Sequence, residues 1–173
     1  IPLIKYAVKN ILGSAIDELI IVLGHEKLVI ENIIEKNKKI KFVYNENYKT
    51  GIISSIKKGL NHISEKSEAF FICLGDMPNV NQNIYNKIIK TRYNYNKKLA
   101  PDKKKEIIIP MVEEKEGNPL LFSKFMKEKI FNIADDSNVK KILEENKSKI
   151  LYAPIKSTGI TLDFNTKKDF IPL

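Results

Sequence analysis

Three apolar runs, each closed by a turn and followed by a segment of helical spacing, constrain this chain more than any other feature. ELIIVLG (18–24) precedes EKLVIENIIEKN, KFVYN (41–45) precedes SSIKKGLNHI, and AFFICLGD (69–76) precedes NQNIYNKIIKTRY. Short continuous apolar runs read as buried strands, and strands alternating with helices predict an α/β domain around a mostly parallel central sheet. A helix over 2–13 comes first, with Ile4, Val8, Ile11 and Leu12 at helical spacing and Gly13 at its end. EIIIP (106–110) adds a fourth core strand. Beyond it NPLLFS reads as strand, KFMKEKIF and SNVKKILEEN as helices, ILYAPI as an edge strand because of Pro154, and ITLDFNT as the strand that closes the sheet. The expected flexible piece is NKKLAPDKKK (96–105), where lysines cluster with Pro101 and Asp102.

At 173 residues and 43% hydrophobic content, the chain reads as one domain over 1–173 with a sizeable core. No stretch reaches the roughly eighteen apolar residues of a membrane span, and IPLIKYAVKN has no signal-peptide core, so no membrane is expected. A single cysteine, Cys73, has no intramolecular partner and fits a reducing compartment, with the cytoplasm as the expected location. The net charge of +9 opens two functional readings, nucleic acid or a small polyphosphate. Lysine, asparagine and isoleucine are heavily used throughout, so the charge reads first as a solvated surface.

In open α/β sheets ligands bind at the carboxyl ends of the strands, which directs attention to LGHE, YNENYKTG, LGDMP and LDFNT. Asp76 stands at the tip of an apolar strand between Gly75, which lets backbone approach, and Pro78, which stiffens the exit. A hard cation such as Mg2+ is held by one or two rigid carboxylates, with phosphate oxygens and waters completing its shell. Asp163 and Asn165 alternate with Leu162 and Phe164, so both polar side chains share one face and form a second candidate. The plainer reading of Asp163 is a cap for the helix-like TKKDF. Gly51 opens a segment whose helix begins around Ser54 and Ser55, where free N–H groups and hydroxyls suit an anionic ligand, unless Thr50 or Ser54 is a simple N-cap. His25 sits at a strand tip and either touches a nucleotide or bonds locally. Cys73 reads as core and His62 as surface, and no His/Cys cluster has zinc spacing.

LIIVLGHE, VYNENYKTGIISSIKKGL, FFICLGDMP, IIIPMVEEKEGNPLLFS, DDSNVKKIL and LDFNTKKDF, in that order, resemble the MobA-like NTP transferase family, within it the molybdenum cofactor cytidylyltransferase branch. The resemblance covers nearly the whole chain. Its most specific pieces are Gly51, Ser54, Ser55, Gly59 and Leu60 in the G-x-x-S-S-x-x-x-G-L pattern, G-D-M-P at 75–78, and G-N-P-x-L-F at 117–122. It implies a three-layer α/β/α Rossmann-like sandwich and a Mg2+-dependent transfer of an NMP, with CTP the favoured donor. The acceptor is a phosphorylated pterin such as molybdopterin, pyrophosphate is released, and a molybdenum enzyme is a possible partner. By the same resemblance Asp76 is catalytic as a metal ligand and Asp163 or Asn165 supplies the second ligand. Gly51, Ser54, Ser55, Gly75 and His25 lie on the nucleotide side, and Gly117, Asn118 and Pro119 on the acceptor side. The chain departs from the pattern at Asn165 and Lys167, where the family's closing motif has an acid and a proline, and at Asn138 and Lys140, where it has glycine and arginine.

The family's N-terminal strand and its L-A-A-G-x-S-x-R-x-G loop, which cradles the triphosphate, have no match here, since IPLIKYAV corresponds to the helix after that loop. The natural protein is therefore expected to carry about twenty further residues, a strand plus a phosphate-binding loop, without which poor folding and no turnover are expected. Two other readings stay open. One keeps the fold with another base or acceptor, such as GTP, a sugar phosphate or a role in molybdenum hydroxylase maturation. The other is a basic nucleic-acid binder that stacks bases on TRYNYNKK. Nucleic acid is not an expected partner, because that reading leaves Asp76 and Asp163 unexplained.

Overall fold

The computed structural model describes residues 2–162. Helix α1 (Leu3–Leu12) leads into strand β1 (Leu19–Leu23), helix α2 (Lys27–Ile33), strand β2 (Ile40–Tyr44), helix α3 (Ile52–Leu60), strand β3 (Ala69–Ile72) and helix α4 (Gln82–Asn96). Strands β4 (Ile107–Val112), β5 (Lys115–Glu116) and β6 (Leu120–Ser123), helices α5 (Met126–Phe131) and α6 (Val139–Glu145), and strand β7 (Ile150–Pro154) follow. No helix among the described residues is long and apolar enough to cross a membrane.

The architecture is mixed α/β, and the expected parallel pairing holds in part. β1 and β2 pair in parallel, as do β4 and β7. β6 runs antiparallel to both β3 and β4. The cause is the connection. β4 turns back through Glu113 and Glu114, both at positive φ, into β5. A two-residue turn returns a strand only in the antiparallel sense, whereas a parallel return needs a crossover of a dozen or more residues. Among the described residues β7 pairs with β4 alone, the edge position that Pro154 demands. Ile160, expected to begin the closing strand, instead ends a 3-10 turn over Thr158–Ile160. The remainder of that expected strand, with Asp163 and Asn165, lies outside the described residues.

Among the described residues β1–β2 and the five-stranded sheet are not joined by ladder hydrogen bonds. Helices on both faces bridge them. On one face, Val8 of α1 packs with Ile21 and Leu23 of β1, while Ile11 of the same helix packs with Met77, Ile84 and Ile88 beside Ile108 and Leu121. On the other, Ile53 and Leu60 of α3 join Phe70, Ile107, Phe122, Met126, Ile130 and Ile142, and Gly59 lies against Val22 of β1. Alternate residues of β3, β4 and β6 thus feed two apolar layers.

The segment 97–105 is tied down more firmly than its composition suggests. Asn96, 8% exposed, brackets Lys105, donating from Nδ2 to its carbonyl and accepting from its N–H, each at 2.9 Å. A 3-10 turn over Pro101–Lys103 fills the interior of the loop.

Phe122 is fully buried, stacked on Phe70 at 5.7 Å between ring centroids and paired with it across β3–β6. Replacing a buried phenylalanine by alanine costs about 3–5 kcal/mol. Phe122→Ala is expected to lower the urea midpoint accordingly, and an unchanged midpoint would mean that β6 is not central.

Candidate functional site

The turn after β2 is organised by a residue that the sequence reading passed over. Asn45 is 4% exposed, its N–H continues the ladder to Leu23 O at 2.8 Å, and its side chain turns toward α3. Its Nδ2 donates to Ser54 Oγ and to Ser55 Oγ, each at 3.0 Å, while its Oδ1 accepts from the Asn47 N–H at 3.1 Å. Ser54 Oγ lies 2.8 Å from Gly51 O and 3.1 Å from Asn47 O, both of them acceptors. Neither Thr50 nor Ser54 is the N-cap. Helix α3 starts at Ile52, a half-turn earlier than the sequence suggests, with Gly51 at the cap and no side chain among the described residues serving it. The first N–H groups of α3 are therefore left to water or to a ligand. The sequence signal was available: Asn45 ends an apolar run as Gly24 ends another.

Gly51 has a structural reason to be glycine. Its φ of 152° disfavours side chains, and a Cβ there would stand 2.5 Å from Asp135 O. The loop after α5 is thereby pressed onto the start of α3. Lys57 fastens it, donating to Ile133 O and, at 2.7 Å, to an Asp135 carboxylate oxygen. Asn138 caps α6 by accepting from the Lys141 N–H at 3.2 Å, and Lys140 is exposed.

Asp76 lies in the turn after β3. Met77 and Val80, 3% and 1% exposed, bury their side chains beside Ile11 and Ile84, and Asn10 of α1 donates to Pro78 O at 2.8 Å. With the turn pinned on both sides, Asp76 Oδ1 is buried and has no hydrogen-bond partner among the described residues. Gly75 is less constrained than the sequence reading supposes, because a Cβ there would meet only Ile4 at an ordinary 3.6 Å.

Two further segments close on this turn. Gly159 packs on the backbone of Asn79, where a Cβ would be 2.7 Å from Asn79 O, and Gly117 packs on Ile160, where a Cβ would be 2.5 Å from Ile160 O. Ile160 O accepts from the Asn118 N–H at 2.8 Å, and the Gly117 N–H reaches Pro110 O at 2.9 Å. Gly117 and Pro119 are buried and the Asn118–Pro119 peptide is cis. The 117–119 turn, the Asp76 turn and the chain leading to Leu162 thus form one packed group.

The expected site residues therefore fall into two groups, Gly51, Ser54 and Ser55 around Asn45, and Gly75 and Asp76 beside Gly117, Asn118 and Pro119. His25 belongs to neither. It is exposed after β1, its ring centroid 6.4 Å from that of Tyr48, which rests on Gly24. A cavity of about 290 Å³ opens there, lined in part by His25, Lys27, Tyr44 and Tyr48. Lys27 Nζ stands 4.0 Å above the Tyr44 ring.

No group of three or more His, Cys, Asp or Glu side chains among the described residues could hold a metal. What the site offers a cation is one fixed carboxylate oxygen left unbonded among the described residues, which suits an ion whose remaining ligands are phosphate oxygens and waters. Cys73, three residues before Asp76, is not a nucleophile at neutral pH. Burial pushes its thiol up to about 12, against a hydrogen bond with Tyr85 that lowers it.

The MobA-like NTP transferase domain matches residues 1–150. No curated protein matches the chain by sequence. Among solved structures, the chain superposes on Rv0371c from Mycobacterium tuberculosis H37Rv with a TM-score of 0.78 at 18% identity, covering 96% of this chain and 80% of that one. Rv0371c has also been solved in complex with manganese. A nucleotidyl transferase from Methanothermobacter gives a TM-score of 0.76 at 16% identity, covering 96% of this chain and 76% of its own. The 4-diphosphocytidyl-2C-methyl-D-erythritol synthase of Anaerococcus prevotii gives 0.69 at 17% identity, covering 96% and 82%. At these identities the likeness is one of fold.

Gly51→Ala is expected to strain the backbone by about 1–3 kcal/mol and to push the 135–136 segment off α3. Thermal unfolding and proteolysis within 133–138 check this, and a variant as stable and as resistant as the parent would refute the contact.

Proposed function

The chain belongs to the MobA-like NTP transferase family, and from that premise we propose that it transfers an NMP, CMP in the first place, from an NTP to a phosphorylated pterin such as molybdopterin. An oxygen of the acceptor's terminal phosphate attacks the α-phosphorus, a new phosphorus–oxygen bond forms, the α–β bridging bond breaks, and pyrophosphate leaves. Such a transfer needs positioning and charge neutralisation more than a covalent intermediate, which agrees with the protonated, buried thiol of Cys73.

The observation that carries the reading is the Asp76 oxygen, unpartnered among the described residues, in a turn fixed from both sides. Mg2+ held there would draw charge from the triphosphate, and Asp163 or Asn165 is the proposed second ligand. Gly51, Ser54 and Ser55 serve the nucleotide, with Asn45 fixing both serines and the first N–H groups of α3 facing anionic oxygen. Gly75 and His25 are proposed for the nucleotide as well, although Gly75 lies in the Asp76 turn and His25 stands apart beside Tyr48. Gly117, Asn118 and Pro119 hold the acceptor, set against the Asp76 turn by their contacts with Ile160.

Support for a metal comes from the manganese complex of Rv0371c, and support for cytidine from the Anaerococcus synthase, whose product carries a diphosphocytidyl group. That product is built on a methylerythritol, so a non-pterin acceptor is the second reading. The proposed fold is a three-layer α/β/α sandwich. α1 and α3 each pack on both sheets, which supports placing the two sheets in one layer.

Pyrophosphate release by the natural full-length protein, with Mg2+, molybdopterin and each of CTP, GTP and ATP, tests the proposal. CTP is expected to give the highest kcat/KM, and Asp76→Asn to lower kcat by about 100-fold or more. Equal turnover by the variant would remove Asp76 from the mechanism. Turnover only with an acceptor other than a pterin would replace the acceptor and leave the Asp76 assignment standing.

A further inference from the structure

The lysine-rich segments that composition alone assigns to a general solvated surface are gathered at one place. The loop 97–105 and the 3-10 turn Lys147–Lys149 are fastened together. Lys149 Nζ donates to Asp102 O at 2.8 Å, Lys105 Nζ donates to Ser148 O at 2.7 Å, and the Glu106 N–H reaches Lys149 O at 2.9 Å. Asn96 closes the loop at its neck. Residues 96–105 and 146–149 together carry seven lysines and one aspartate. The acids nearest in the chain are Asp102, Glu106, Glu144 and Glu145, and none of them pairs with a lysine among the described residues. Lys97, Lys98, Lys103 and Lys147 are exposed.

An aromatic platform adjoins this cluster. Tyr93, on the last turns of α4, is 65% exposed, and Lys97, one helical turn on, holds its Nζ 5.9 Å from the centre of that ring. A tyrosine ring this exposed, with Lys97 Nζ over it and further exposed lysines beside it, is poorly explained by packing. A base stacks on such a face whatever its identity, and its phosphates are met by the neighbouring lysines. An anionic membrane would call instead for an apolar face, and an acidic peptide would leave the ring unused.

Nucleic acid as the chain's main function fails on Asp76, but the structure separates the two features. The lysines precede the first residues of β4 and β7, whereas the Asp76 and 117–119 turns lie at the opposite ends of the strands. That is about 20 Å of strand. We propose that the strand-start end of the molecule, formed by Tyr93, Lys97, Lys98, Lys103, Lys104 and Lys147, binds single-stranded nucleic acid independently of the nucleotide site.

Fluorescence anisotropy with labelled single-stranded RNA and DNA of about fifteen nucleotides tests this on the full protein. Salt-dependent binding is expected. Reversing Lys97, Lys98, Lys103 and Lys104 to glutamate, or neutralising them to glutamine, is expected to weaken it at least tenfold and to flatten the salt slope by roughly 0.7 per lost phosphate contact. Tyr93→Ala is expected to weaken it about tenfold with the slope unchanged. Nucleotide binding should be the same in every variant. Failure of the parent to bind at about 50 mM salt, or wild-type affinity in the lysine variants, would overturn the proposal. So would wild-type affinity in Tyr93→Ala together with displacement by polyglutamate at equal charge, which would show only an unselective polyanion surface.

Discussion

One oxygen of Asp76, buried and bonded to nothing among the described residues, sets the requirement that the surrounding structure meets. Leaving such an atom unpaired costs on the order of 1–3 kcal/mol, and a free turn would relax to let water reach it. This turn is not free. Met77 and Val80 are embedded in the apolar layer below α1 and α4, Asn10 holds Pro78 from above, and Gly159 abuts Asn79 on the far side. Hydrophobic burial on either side of the carboxylate holds the turn in place.

The same method recurs across the site, where close backbone approaches hold loops that have no regular structure. Gly117 lies on Ile160 and Gly51 on Asp135, each leaving no room for a side chain. These contacts join segments distant in sequence and leave the N–H groups of α3 unspent. α1 and α3 each grip both sheets, so the two groups of site residues are positioned by shared helices.

Much of this was legible in the residues, and the exceptions have physical causes. The strand-helix units were readable because apolar runs of four to six residues have little choice but burial. The direction of β6 was not, since an apolar run looks alike in either sense. The turn that decides it uses Glu113 and Glu114 at positive φ, without the Asn-Gly or Gly-Gly signal that usually marks a hairpin. The 97–105 segment reads as loose because its lysines are polar, but its restraint comes from Asn96 and from carbonyls of residues 147–149. Asp76 stood out because a carboxylate at a strand tip breaks an apolar pattern. Asn45 did so less because asparagine is common at strand ends, and the clasp of Lys57 on Asp135 spans 78 residues, with no local pattern to announce it.

Anomalous diffraction from crystals of the full-length protein grown with Mn2+ and CTP bears most directly on the role of Asp76. The expected result is a manganese peak about 2 Å from an Asp76 carboxylate oxygen, bridging to the nucleotide's phosphates. Manganese bound to the nucleotide with Asp76 outside ligand distance, or hydrogen-bonded within the protein, would contradict the assignment.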